Sequence, residues 1–188
     1  MTSRHDKTRR ALLAGLTALP AMADAADPPG KASKTLVVYF SRSGNTRVIA
    51  GLLQRRLDAD IVELERAAPY PADYLQTVDE ATRERDRGTE PALKPGIADL
   101  ASYDTIYLGF PIWGETAPAV IRSFLKRHDL TGKTLIPFIT HGGYGVGRAL
   151  SVLQSHAPTA ALKKPFVMEA DQERRTMNTV LAWLGDRP

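Results

Sequence analysis

The chain is predicted to form an α/β domain: a parallel β-sheet with helices on both faces. Short runs rich in Val, Ile, Tyr and Phe alternate with helix-length segments, and this alternation at this spacing calls for parallel strands joined by helical crossovers. The second observation is size: 188 residues, 43% hydrophobic and 24% charged, suit one soluble domain with a sizeable core.

The elements follow in order. Leu36–Phe40 is an apolar run that reads as a buried strand. The polar stretch Ser41-Arg42-Ser43-Gly44-Asn45-Thr46 follows at once. A helix is predicted from Thr46, with Val48, Ile49, Leu52, Leu53 and Leu57 on its apolar face. Ile61–Glu65 is a second strand. After the turn Pro69-Tyr70-Pro71 comes a strongly polar helix, about 72–87, whose charges Asp79, Glu80, Arg83, Glu84, Arg85, Asp86 and Arg87 are expected to form a solvated face. Thr105–Phe110 is the third strand, and Pro118 suits the first turn of a helix over Ala119–Arg127. Lys133–Thr140 is the fourth strand, with a helix carrying Ala149 to Gln154 behind it. Phe166–Glu169 is a fifth short strand, and a closing helix is expected over Thr176 to Leu184.

The net charge of +4 is concentrated at the start of the chain. Arg4, Lys7, Arg9 and Arg10 against Asp6 put +3 of it in residues 1–23, so residues 24–188 are nearly neutral and nucleic-acid binding loses its support. The pair Arg9-Arg10 precedes a weakly apolar stretch, Ala11 to Ala23, that Gly15, Thr17 and Pro20 interrupt; it is too short and broken to span a bilayer. Ala21-Met22-Ala23 offers a small-x-small cleavage signal. Residues 1–23 therefore read as a twin-arginine signal peptide that exports an already folded protein to the periplasm, with no stable membrane insertion after its removal. Residues 24–34, rich in Ala, Asp, Pro and Gly, read as a linker, and 35–186 as the domain. The chain has no cysteine, which excludes thiolate nucleophiles, disulfides and cysteine-held metal centres.

Three polar loops fall at predicted strand ends, where open α/β sheets bind ligands: 41–46, 111–118 and 141–147. In the first, backbone N–H groups at a helix start, hydroxyls and a permissive Gly44 make either a phosphate site or an ordinary capped turn. In the second, Pro111-Ile112-Trp113-Gly114-Glu115, Trp113 is either a ligand-facing indole or a core residue. In the third, His141-Gly142-Gly143-Tyr144, Tyr144 lies among glycines that either admit a flat ligand or simply loosen the loop. His141 is expected to orient the loop or flank a ligand. The glycines of 142–147 match neither a Walker A loop nor G-x-G-x-x-G, and no G-x-S-x-G nucleophile elbow is present. A phosphate loop with two aromatics on neighbouring loops suggests a planar aromatic cofactor with a phosphate tail.

The set Y-F-S-R-S-G-N-T, G-F-P-I-W-G-E-T-A-P and I-T-H-G-G-Y-G-V-G, with P-Y-P-A-D-Y between, resembles the flavodoxin family over about residues 34–185. The resemblance implies a flavodoxin-like three-layer sandwich, a five-stranded parallel sheet in order 2-1-3-4-5, and non-covalent FMN. Ser41, Ser43, Asn45 and Thr46, with the backbone of Arg42 and Gly44, would hold the FMN phosphate. Pro111, Ile112, Trp113, Gly114 and Glu115 would flank the isoalloxazine together with His141, Gly142, Gly143 and Tyr144, with Trp113 and Tyr144 stacking on it. Backbone N–H groups of Gly142 and Gly143 are candidate donors to the ring. Many relatives carry a second tryptophan where this chain has Gly114, and a cysteine where it has Thr140. Carrier flavodoxins are usually strongly acidic, unlike residues 24–188 here. Two functions compete: an FMN oxidoreductase taking electrons from NAD(P)H or a quinol to a small acceptor such as a quinone, and an electron carrier between protein partners.

Overall fold

Alternating apolar side chains along each strand set up a sheet with two buried faces. The structure, a computed structural model, describes residues 34–170. Its elements are β1 (Thr35–Tyr39), α1 (Asn45–Leu57), β2 (Asp60–Glu63), α2 (Tyr74–Arg87), β3 (Thr105–Pro111), α3 (Ala119–Arg127), β4 (Thr134–His141), α4 (Ala149–His156), β5 (Ala161–Leu162) and β6 (Phe166–Glu169). The leader and linker, and the expected closing helix, lie outside the described residues.

All strand pairs are parallel and the order is β2-β1-β3-β4-β5, the predicted 2-1-3-4-5. The fifth position is shared by two short pieces, because β6 also pairs with β4. Leu162 lies opposite Leu135 and Phe166 opposite Phe138, so Lys163, Lys164 and Pro165 span what Ile136 and Pro137 span on β4. One extra residue on the edge is a bulge, and Pro165, which has no N–H to give a ladder, sits in it.

On one face of the sheet Leu36, Val38, Ile106, Leu108, Leu135 and Ile139 pack with Val120, Ile121 and Phe124 of α3 and Leu153 of α4. On the other, Val37, Tyr39 and Phe138 pack with Ala50, Ile49 and Leu53 of α1. Gly109 belongs to that second face: a Cβ there would overlap the ring of the buried Phe138 beside it. The apolar face predicted for α1 is corrected. Its buried stripe runs through Thr46, Ile49, Ala50 and Leu53, whereas Val48 is 73% and Leu52 53% exposed. At about 100° per residue, Thr46, Ala50 and Leu53 fall on the same side as Ile49, and Val48 and Leu52 fall to the other side of it.

The second correction concerns α2. Asp73 caps its N-terminus by accepting from the Gln76 N–H at 2.9 Å, and Gly88 ends it in a left-handed conformation. Its charges do not all face water: Glu84 is 6% exposed. Arg66, just beyond β2, pairs with Glu84 at 3.3 Å and Glu80 at 2.7 Å, and the Tyr70 hydroxyl donates to Glu84 Oε2 at 2.6 Å. Burial first, and the bond to Glu84 second, hold the Tyr70 hydroxyl protonated well above the usual tyrosine range. Buried Arg122 of α3 donates to the carbonyls of Glu84 and Thr89, fastening the end of α2 to the body of the fold. A charged carboxylate is buried here because its partners come from loops distant in sequence.

Candidate functional site

In the order 2-1-3-4-5 the chain runs outward in opposite directions from the β1–β3 pair, so the loops after β1 and β3 flank the switch point. The first loop is shaped by Ser41. Its buried Oγ accepts from the Gly44 N–H at 3.2 Å and the Arg47 N–H at 3.4 Å. Gly44 at φ 94° turns the chain into α1, whose first internal bond is Val48 N–H to Gly44 at 3.0 Å. The N–H groups of Arg42, Ser43, Asn45 and Thr46 are left without an acceptor among the described residues. Four such donors at the positive end of a helix, beside the exposed Ser43 hydroxyl, form an anion cradle. Thr46 is 1% exposed, and its hydroxyl is bonded to that of Thr140 at 2.9 Å. Its side chain is therefore directed at β4, while its N–H remains in the loop.

In the second loop, residues 113–116 close on themselves: Trp113 N–H donates to Thr116 at 3.0 Å and Thr116 N–H to Trp113 at 3.2 Å. Both central residues, Gly114 (φ 53°) and Glu115 (φ 61°), are left-handed, which suits glycine and strains a glutamate by about 1–2 kcal/mol. The half-buried Trp113 ring meets Phe40 edge-on at 5.2 Å and Tyr70 at 5.0 Å. The indole thus anchors the loop in an aromatic cluster while also lining a cleft.

The third loop is organised by His141, whose Nδ1 accepts from the N–H groups of Gly143 at 3.1 Å and Gly145 at 3.3 Å. A ring nitrogen with two incoming N–H groups carries its lone pair, so the proton sits on Nε2. The Gly143 N–H is committed to this bond, which removes it from the candidate ring donors. Tyr144 is 92% exposed. The second and third loops are tied together where Arg148 N–H donates to the Glu115 carbonyl at 2.8 Å. A Cβ on Gly147 (φ 50°) would overlap that same carbonyl.

Beside the first two loops lies a cleft of about 450 Å³. Arg42 and Ser43 form one wall, and Pro111, Ile112, Trp113 and Gly114 another. The third wall was missed by sequence reasoning: it is α2, presenting Tyr74, Thr77, Val78, Ala81, Thr82 and Arg85. The only sequence signal for it was the small residues Thr77, Ala81 and Thr82, spaced four and one apart on an otherwise charged helix. His141, Gly142, Gly143 and Tyr144 do not line this cleft; the third loop meets the second further along, at Gly147 and Arg148 against Glu115. Among the described residues no group of His, Asp and Glu could hold a metal ion, and no helix is long and apolar enough to cross a membrane.

A family model described as flavodoxin matches residues 34–186. The chain belongs to the flavodoxin family. Solved structures similar to this flavodoxin-family chain include a protein of Bacteroides uniformis described as a flavoprotein, at 34% identity and TM-score 0.68, covering 80% of this chain and 99% of that one. A Bacteroides eggerthii protein described in the same way is 29% identical with TM-score 0.66, covering 79% and 98%. A flavoprotein of Lactobacillus acidophilus in complex with FMN is 22% identical with TM-score 0.64, covering 78% and 99%, a likeness of fold. A search of curated proteins finds no match.

Proposed function

We propose that this flavodoxin-family protein binds FMN non-covalently and acts as an oxidoreductase, passing electrons through it to a small acceptor such as a quinone. The observation that carries the reading is the first loop: four N–H groups without acceptors among the described residues, at the start of α1, beside a cleft at the switch point. That donor set suits a terminal monophosphate, with Ser43 adding a hydroxyl. Ile112, Trp113, Gly114 and Glu115 supply the apolar and turned backbone against which a flat ring rests, and exposed Tyr144 supplies a second aromatic surface. His141 keeps the third loop in place. When bound, FMN supplies the chemistry, exchanging electrons with donor and acceptor, while the chain sets its orientation and surroundings. The FMN-bound Lactobacillus acidophilus structure is consistent with this reading.

The near-neutral charge of residues 24–188 favours a small acceptor over docking on a charged protein. The twin-arginine leader favours the second reading, a carrier between protein partners, because free NAD(P)H is not expected in the periplasm. Export after folding, with FMN already loaded, fits either. The test is purification from the periplasmic fraction, an absorption spectrum, and anaerobic mixing with NAD(P)H. Rapid bleaching of bound flavin is expected for the reductase. Flavin that only dithionite or a protein donor reduces supports the carrier, and absence of both flavin and FMN uptake overturns the two together.

A further inference from the structure

The turn Pro69-Tyr70-Pro71 belongs to none of the three loops, yet its ring is packed behind the second one. Thr77 of α2 donates to the Pro71 carbonyl at 2.8 Å, which holds the turn against that helix. Among the described residues two aromatic rings meet Trp113 edge-on, Phe40 at 5.2 Å and Tyr70 at 5.0 Å. They differ in one respect that matters for electron loss. Phe40 has no acidic proton to release, whereas the Tyr70 hydroxyl donates to Glu84 Oε2 at 2.6 Å, the length of a charge-assisted bond. Glu84 is buried, so a proton leaving Tyr70 meets a carboxylate and not water. The Arg66 guanidinium lies over the Tyr70 ring at 4.1 Å and opposes positive charge on it. Burial first, and the bond to Glu84 second, keep the hydroxyl protonated well above the usual tyrosine range. Neither a phenolate nor a charged ring is favoured here, so Tyr70 loses an electron by handing its proton to Glu84 in the same step.

We propose that Trp113, Tyr70 and Glu84 form a one-electron relay that draws oxidising equivalents out of the indole lining the cleft. A diffusible one-electron oxidant in the cleft takes an electron from Trp113 and leaves an indole radical cation. One electron then crosses from Tyr70 to Trp113 and restores the neutral indole, while the Tyr70 hydroxyl proton moves to Glu84. The phenolic O–H bond breaks, an O–H bond forms at Glu84 Oε2, and the products are a neutral phenoxyl radical and a neutral carboxylic acid. Arg66 keeps its other partner, Glu80 at 2.7 Å, so its charge stays paired. A small enediol reductant such as ascorbate returns one electron to Tyr70, and the proton returns from Glu84. The relay is made of the chain's own side chains and works with or without a flavin in the cleft. Its effect is to spare Trp113 from irreversible oxidation.

The test is pulse radiolysis of the full chain, free of FMN, with the azide radical as oxidant. Tryptophan occurs at 113 and 183, so Trp183→Phe leaves Trp113 as the sole indole. In that protein the indole-radical absorption is expected to decay as phenoxyl absorption rises. The phase is first-order, independent of protein concentration and slower in D2O. The unsubstituted chain is expected to show the same phase, and Trp113→Phe to remove it. Tyr70→Phe keeps the ring and is expected to abolish the phase. It is also expected to raise the yield of oxidised Trp113 found by peptide mass spectrometry after steady radiolysis with ascorbate present. Absence of the phase in the Trp183→Phe protein, its survival when Tyr70→Phe is added, or a rate unchanged in D2O overturns the relay. None of these readouts involves flavin, so the FMN reading stands or falls separately, on flavin uptake.

Discussion

The Thr46–Thr140 bond offers a test of how the first and third loops are held. Both residues are 1% exposed, and their hydroxyls are 2.9 Å apart. Thr46→Val preserves shape but strands the Thr140 hydroxyl in a dry site, a loss of about 1–3 kcal/mol. Thr140→Val strands Thr46 in the same way. The double variant removes both polar groups at once, so its loss is expected to be close to that of one single variant or smaller, an interaction energy of about 1 kcal/mol or more. Urea unfolding of the apoprotein measures this, with each single variant lowering the midpoint by roughly 0.5–1 M at unchanged slope. Strict additivity in the double variant, or singles within experimental error of the parent, refutes the bond as a contributor. Repeating the series with saturating FMN separates a change in the fold from a change in ligand linkage.

Three further outcomes are expected. Thr46 is buried with its hydroxyl against Thr140, so the loop N–H groups and the exposed Ser43 are expected to carry phosphate recognition. Ser43→Ala should weaken FMN by about fivefold while leaving riboflavin unchanged, read by fluorescence titration; equal losses refute a phosphate role. Gly145→Ala and Gly147→Ala make the same substitution at φ 74° and φ 50°, but only the second meets the Glu115 carbonyl. The first should cost about 1–2 kcal/mol for left-handed backbone alone and the second clearly more, and equal melting shifts would show that the loops are not tied at that point. Tyr70→Phe removes the 2.6 Å bond to Glu84 and should cost about 1–2 kcal/mol near neutral pH. Since the folded state raises the Tyr70 pKa above its unfolded value near 10, the stability it contributes is present below that pH and lost as pH rises beyond it. The phenylalanine variant should therefore lose stability less steeply on the alkaline side.

The parallel sheet and its order were legible because the apolar runs of β1, β3 and β4 are long and bounded by loop residues, and the loops carry a recognisable set. The sequence leaves His141 either orienting its loop or flanking a ligand, and two glycine N–H groups on its Nδ1 give the first of these its geometry. What could not be read was tertiary pairing. Glu84 looks like any other charge on a polar helix until Arg66 and Tyr70 close over it. Val48 and Leu52 fit an apolar stripe as well as Ile49 and Leu53 do; only the position of the sheet decides which residues turn inward. The α2 wall of the cleft was hidden for the same reason, since a binding surface made of threonine, alanine and arginine has no local pattern that distinguishes it from a solvated one.

The interrupted fifth strand bears on how the protein behaves at high concentration. An unbroken edge strand exposes a row of donors and acceptors that a second chain can extend. Here the ladder along β4 changes register at Lys163, Lys164 and Pro165, after only two paired residues of β5. A strand approaching that margin would meet two positive charges and a residue with no N–H to share. At that stretch, 163–165, the edge is thereby poorly suited to recruiting another strand.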